Sequence, residues 1–81
     1  MRDLDIRLAR CFAAVLPGIA EQDAPAARRE QVEGWDSLAS VTLVRVVEEE
    51  FSVTVDLFEL ENLDSFAAWR DYLSSQAAAA P

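Results

Sequence analysis

The sequence predicts an all-α fold, a four-helix bundle with a long first loop and a short third helix. Three observations carry this. Leu4, Leu8, Cys11, Phe12 and Val15 recur at helical spacing, and so do Val41, Leu43, Val44 and Val47 further along. Only Phe51-Ser-Val-Thr-Val55 alternates as a strand would, and one five-residue candidate has no partner with which to complete a sheet. A chain of 81 residues that is 52% hydrophobic with two glycines also has the composition of a folded domain and not of a disordered tail.

The first helix is expected over residues 3–16, with its apolar stripe facing a core and Asp3, Arg7 and Arg10 falling largely elsewhere. Pro17-Gly18 ends it. From there to Asp36 the chain is polar and alanine-rich, Pro25 sits in the middle, and only Ile19 and Val32 read as attachments to the core. So long a connection in so small a domain is a candidate functional loop. The second helix is expected to start near Asp36, whose carboxylate can cap free N–H groups, and to run to about Glu50. A short helix or turn near 56–62 and a last helix from Ser65 to about Ser74, with Phe66, Trp69 and Leu73 facing inward, complete the bundle. Residues 1–76 form one domain on this reading, and residues 77–81 a frayed tail.

Fifteen acids against seven arginines give a net charge of −8, which repels nucleic acid. Between Asp36 and Asp64 there are eight acids and the single base Arg45, so the negative charge is concentrated where a partner with a basic surface would meet it. Cys11 is the one cysteine and there is no histidine, which excludes an internal disulfide and argues against the usual imidazole or thiolate metal sites. A reducing cytoplasm is the expected setting. Asp3 and Asp5 do not suit a basic leader, Arg10 before Cys11 does not suit a lipoprotein cleavage site, and no apolar run is long enough to span a membrane.

Gly34-Trp35-Asp36-Ser37-Leu38 stands at the junction of the long loop and the second helix. Alone, an Asp-Ser pair before an apolar helix is a cap. A serine hydroxyl there also lies in a first turn, where unpaired N–H groups and the helix dipole favour a nearby phosphate. Gly34 allows a tight turn, and Asp36 could help to hold the magnesium that accompanies transfer of a phosphate-bearing group.

From Asp36 to Leu73 the chain resembles the acyl carrier protein family without a gap. The matching features are Asp36-Ser37-Leu38, the apolar positions Val41, Leu43, Val44 and Val47, the run Glu48-Glu49-Glu50-Phe51, Val55 before the short third helix, and Ser65-Phe66 opening the last one. The resemblance covers about half of the chain. It implies that Ser37 carries a 4′-phosphopantetheine arm from coenzyme A, that Asp36 and Gly34 support the attachment, and that acyl or aminoacyl groups ride on the arm as thioesters. The implied partners are a phosphopantetheinyl transferase, an acyl- or aminoacyl-loading enzyme and a downstream synthase or transferase. The carrier itself, expected to be a monomer, would then perform no chemistry.

At about 100° per residue, Leu38, Thr42, Arg45 and Glu49 share one face of the second helix, with Val46 at its edge, while Leu43, Val44 and Val47 lie opposite. That face begins beside Ser37 and is the expected docking surface. Carriers of bacterial fatty acid synthesis commonly show acids there, whereas this chain has Ala39, Thr42 and Arg45. Arg45 would repel a basic docking patch, which argues against the generic fatty-acid enzymes as main partners. The Trp35-bearing motif resembles carriers of specialised pathways, so the resemblance implies a pathway of the polyketide, nonribosomal peptide or modified-lipid kind.

Asp64-Ser65-Phe66 is a second Asp-Ser, but too little chain follows it to supply a recognition helix and two more elements, so Ser65 reads as an N-cap. Glu48-Glu49-Glu50 reads as a solvated helix end, because consecutive residues splay around a helix. Cys11 reads as a packing residue. The competing class is an unmodified acidic helical adaptor that binds a basic protein. An enzyme is disfavoured by the lack of histidine, of a catalytic triad and of a glycine-rich phosphate loop.

Overall fold

A computed structural model describes the backbone of residues 3–79 and the side chains of residues 3–76. It contains α1 (Asp3–Val15), α2 (Ser37–Phe51) and α3 (Phe66–Ala79), together with 3-10 helices at Glu21–Ala26, Arg29–Gln31 and Leu57–Asn62. Among the described residues there is no strand, and no helix is long and apolar enough to cross a membrane. The all-α expectation is met. The short third helix is a 3-10 helix, so the four-helix arrangement consists of three α-helices and this tighter segment.

α1 buries Leu8, Ala9, Cys11 and Phe12, and Leu16 follows just beyond it. The acids of its first turn, Asp3 and Asp5, complement the positive end of its dipole. The long connection is more ordered, and more of it is buried, than its polar, alanine-rich composition suggests. It holds two 3-10 helices and buries Ala24, Ala27 and Trp35, while Ile19 and Val32, the expected attachments, pack half-buried against the core. Its far end is held to the start of α3 by backbone bonds from Arg29 N to Asp64 O at 2.8 Å and from Phe66 N to Ala27 O at 3.0 Å. Small alanines let the backbone approach the core closely, and that makes burial there invisible to a search for large apolar residues.

α2 ends at Phe51; its C-cap Ser52 still donates its N–H to Glu48 O, and the left-handed φ of 55° at Ser52 turns the chain so that Val53 N reaches Glu48 O at 3.2 Å. This turn interrupts the alternating pentapeptide: Phe51 completes the helix and Val55 drops into the core. The acidic run at the end of α2 is less idle than a solvated helix end. Glu48 Oε2 accepts from Val55 N at 2.8 Å, and Glu50 Oε2 accepts from Arg7 Nε at 2.7 Å. The last turn of α2 has no base of its own at the negative end of its dipole, so Arg7 supplies that cation from α1 while its guanidinium lies 4.5 Å over the Phe51 ring. The bond to Glu50 holds the Arg7 pKa above its ordinary value. Glu49 remains exposed.

Ser65 caps α3, its Oγ accepting from Ala68 N at 3.0 Å, as the sequence predicts. The helix continues past the expected end near Ser74 to Ala79, so residues 77–79 extend it, and the rest of the predicted tail lies outside the described residues. The core gathers Leu8, Phe12 and Leu16 from the first segment, Leu43 and Val47 from α2, and Phe66, Trp69 and Leu73 from α3. Phe12 lies at its centre, with ring centroids 5.3 Å from Trp35 and 5.2 Å from Phe66, both edge-on. These spacings are those of favourable aromatic pairs.

Burial pushes the Cys11 thiol up to about 11, with the Glu50 charge adding in the same direction. The folded state therefore keeps a proton that the unfolded chain releases near the ordinary value of 9.0. Stability from this group is complete below pH 9 and is lost as the pH rises toward 11. Melting temperature should fall more steeply across that window for the wild type than for Cys11→Ala; parallel curves would show that the thiol does not contribute.

Candidate functional site

Gly34 has φ +91°, a region that L side chains rarely adopt, so glycine at this turn is required by the backbone and not by crowding. Trp35 then turns inward, where its Nε1 donates to Ser40 Oγ at 3.0 Å in a buried bond. That contact spans the first turn of α2 and satisfies Ser40, the one buried polar residue among the described residues. Asp36 is the N-cap, with Oδ1 accepting from Ala39 N at 2.8 Å. Ser37 opens the helix and is exposed. A buried indole on one side and a capped turn on the other therefore hold this serine hydroxyl at the surface, at the positive end of α2.

Beside it lies a cleft of about 460 Å³ lined by Arg29, Ser37, Ser40, Val41, Leu57, Leu60 and Glu61. One wall comes from α2 and another from the Leu57–Asn62 segment. Residues three apart eclipse in a 3-10 helix, which is why Leu57 and Leu60 both face the cleft. Asp56 starts that segment, accepting from Phe58 N at 2.9 Å through Oδ1 and donating its own N–H to Tyr72 Oη at 3.0 Å.

On α2, Leu38 is 75% exposed and Thr42, Arg45 and Glu49 are also exposed, which brings the expected face together. Thr42 Oγ1 donates to Leu38 O at 3.0 Å, so its hydroxyl is occupied within the helix. Val46, at the edge of that face, is half-buried against the core and takes a smaller part in the outer surface. Val41 takes its place in the surface, 45% exposed. The sequence reading also missed Leu57, 64% exposed, and Phe58, 95% exposed. Their mean composition gave no signal, because a short 3-10 turn has no long apolar period from which its wet side could be read.

The chain matches no protein-family model and no curated protein. The functional reading accordingly rests on the residues and geometry described above.

Proposed function

We propose that this protein is an acyl carrier protein whose Ser37 receives a 4′-phosphopantetheine arm and which presents acyl or aminoacyl groups to partner enzymes of a specialised biosynthetic pathway. The observation that carries the reading is the exposed Ser37 hydroxyl at the capped start of α2, opening onto a cleft with apolar walls. The residues suit such an arm. Ser37 Oγ is the acceptor, Val41, Leu57 and Leu60 offer apolar surface to a chain attached there, and Arg29 offers positive charge to a phosphodiester. When bound, the arm supplies the thiol on which cargo is held as a thioester. Asp36 keeps the first turn wound by capping Ala39 N, and Trp35 keeps it seated through Ser40, so the serine stays at the surface where a transferase can reach it.

Intact-mass measurement after incubation with coenzyme A and a phosphopantetheinyl transferase tests the proposal. One phosphopantetheine increment per chain is expected. No increment with several transferases would favour the adaptor reading, for which exposed Leu38, Leu57 and Phe58 on an acidic surface would be the contact with a basic protein.

Arg45 is exposed on the same α2 face as Leu38, and among the described residues it has no carboxylate partner. Charge at an interface rim acts mainly on association and discrimination. Arg45→Glu should improve use by fatty-acid elongation enzymes with basic docking patches and weaken use by the cognate partner, the contrast shrinking at high salt. Stability should change by no more than about 0.5 kcal/mol. Equal acyl-transfer rates for wild type and variant with both enzyme sets at low salt would remove the surface argument for a specialised pathway.

A further inference from the structure

Arginines are the only basic side chains in the chain. Arg7, Arg10, Arg28 and Arg70 each lie within 4.0 Å of a carboxylate, at Glu50 and Asp3, Glu21, Glu30 and Asp71 respectively. Among the described residues Arg29 and Arg45 have no such partner, and they differ in setting. Arg45 points to open solvent, whereas Arg29 is half-buried and lines the cleft that Ser37 also lines. Its backbone is fixed by the 2.8 Å bond to Asp64 O, and its one side-chain bond, Nη2 to Glu61 O, is long at 3.5 Å. A guanidinium is thus held in a concave site with much of its donor capacity unused.

We propose that Arg29 is an anion-binding residue whose ligand is a phosphoryl group carried on Ser37 Oγ, the two residues forming one phosphoester site. The inference rests on the reading of Ser37 as the esterified residue. A phosphoester brings negative charge into a chain of net charge −8, with Asp36 beside the serine and Glu61 in the wall of the same cleft, so a cation in that cleft adds to the positive end of α2 in offsetting the repulsion. Among the described residues, Arg29 is the only base lining this cleft. The planar guanidinium fork matches two phosphoryl oxygens, a fit that an ammonium would reproduce only as a point charge. Tethering on Ser37 also raises the local concentration of the anion, whereas free phosphate must enter against the net charge.

The test needs no arm. With phosphoserine incorporated at position 37 during translation, the second phosphate ionisation, ordinarily near 6, is followed by phosphorus NMR. The Arg29 cation stabilises the dianion, so Arg29→Gln should raise this pKa by roughly half a unit to one unit. Arg29→Lys should recover part of the difference, and 1 M salt should shrink it. Melting temperatures of the variants should match the parent within a few degrees, which separates charge from folding. Coincident titration curves for parent and Arg29→Gln would overturn the inference. So would a shift of the Arg29 Nε–H resonance on adding millimolar inorganic phosphate to unphosphorylated protein that equals the shift caused by phosphoserine, since the site would then take free anion. Mass gain with the transferase is scored separately: separated curves without any mass gain sink the carrier reading alone, and coincident curves with full mass gain sink the Arg29 site alone.

Discussion

Ser37→Ala should abolish the mass gain on treatment with transferase and coenzyme A while leaving the helical fold and melting temperature essentially unchanged. Ser37 is exposed, and none of the side-chain hydrogen bonds that hold the turn uses its hydroxyl: the cap is Asp36 to Ala39 N and the buried bond is Trp35 to Ser40. Alanine is also the better helix former. Ser65→Ala is the informative contrast. Ser65 Oγ accepts from Ala68 N, so its loss should cost about 1 kcal/mol of stability and leave arm loading intact. The opposite pattern, with Ser37→Ala still loaded and Ser65→Ala not, would make Asp64-Ser65 the attachment motif and refute the site assignment.

The two Asp-Ser pairs also show what could be read in advance. Both caps were legible because an acid or hydroxyl before an apolar period has one local job, and Asp36 and Ser65 perform it. The spans of the first two helices followed from spacing, whereas the alanine-rich end of α3 offered no apolar period by which to place its end. What escaped was set by distant partners. Trp35 could be noticed in the sequence but not assigned to the core, since its place depends on Phe12 from α1 and on the Ser40 hydroxyl one turn further along. Glu48 and Glu50 read as wet because nothing local says that Val55 N and Arg7 will come to them. Leu57, Phe58 and Arg29 became candidates only when folding set the 3-10 segments near the start of α2. The serine of the candidate site was therefore legible, and the cleft around it was not.

Trp69→Ala should remove a large share of the stability of the fold, about 3–5 kcal/mol. Trp69 heads the fully buried side chains by volume, is 1% exposed, and packs edge-on to Tyr72 with centroids 6.5 Å apart. Tyr72 in turn accepts from Asp56 N, so the cavity would loosen the turn that leads into the cleft wall as well as the core. Truncating a buried aromatic to alanine costs about 3–5 kcal/mol, against a total of roughly 4–12 kcal/mol for a domain of this length at about 0.05–0.15 kcal/mol per residue. At about 4–8 °C per kcal/mol for so small a domain, the melting temperature should fall by tens of degrees. Trp35 remains as the only tryptophan in this variant and reports directly, because it is buried against Phe12 when folded and exposed to water when not. Phe58→Ala is the matched control: an aromatic of the same protein, 95% exposed, whose removal should change stability by no more than about 0.5 kcal/mol. A cooperative melt of Trp69→Ala within a few degrees of wild type, with Trp35 emission still that of a buried indole, would show that the core is not organised around α3 as described.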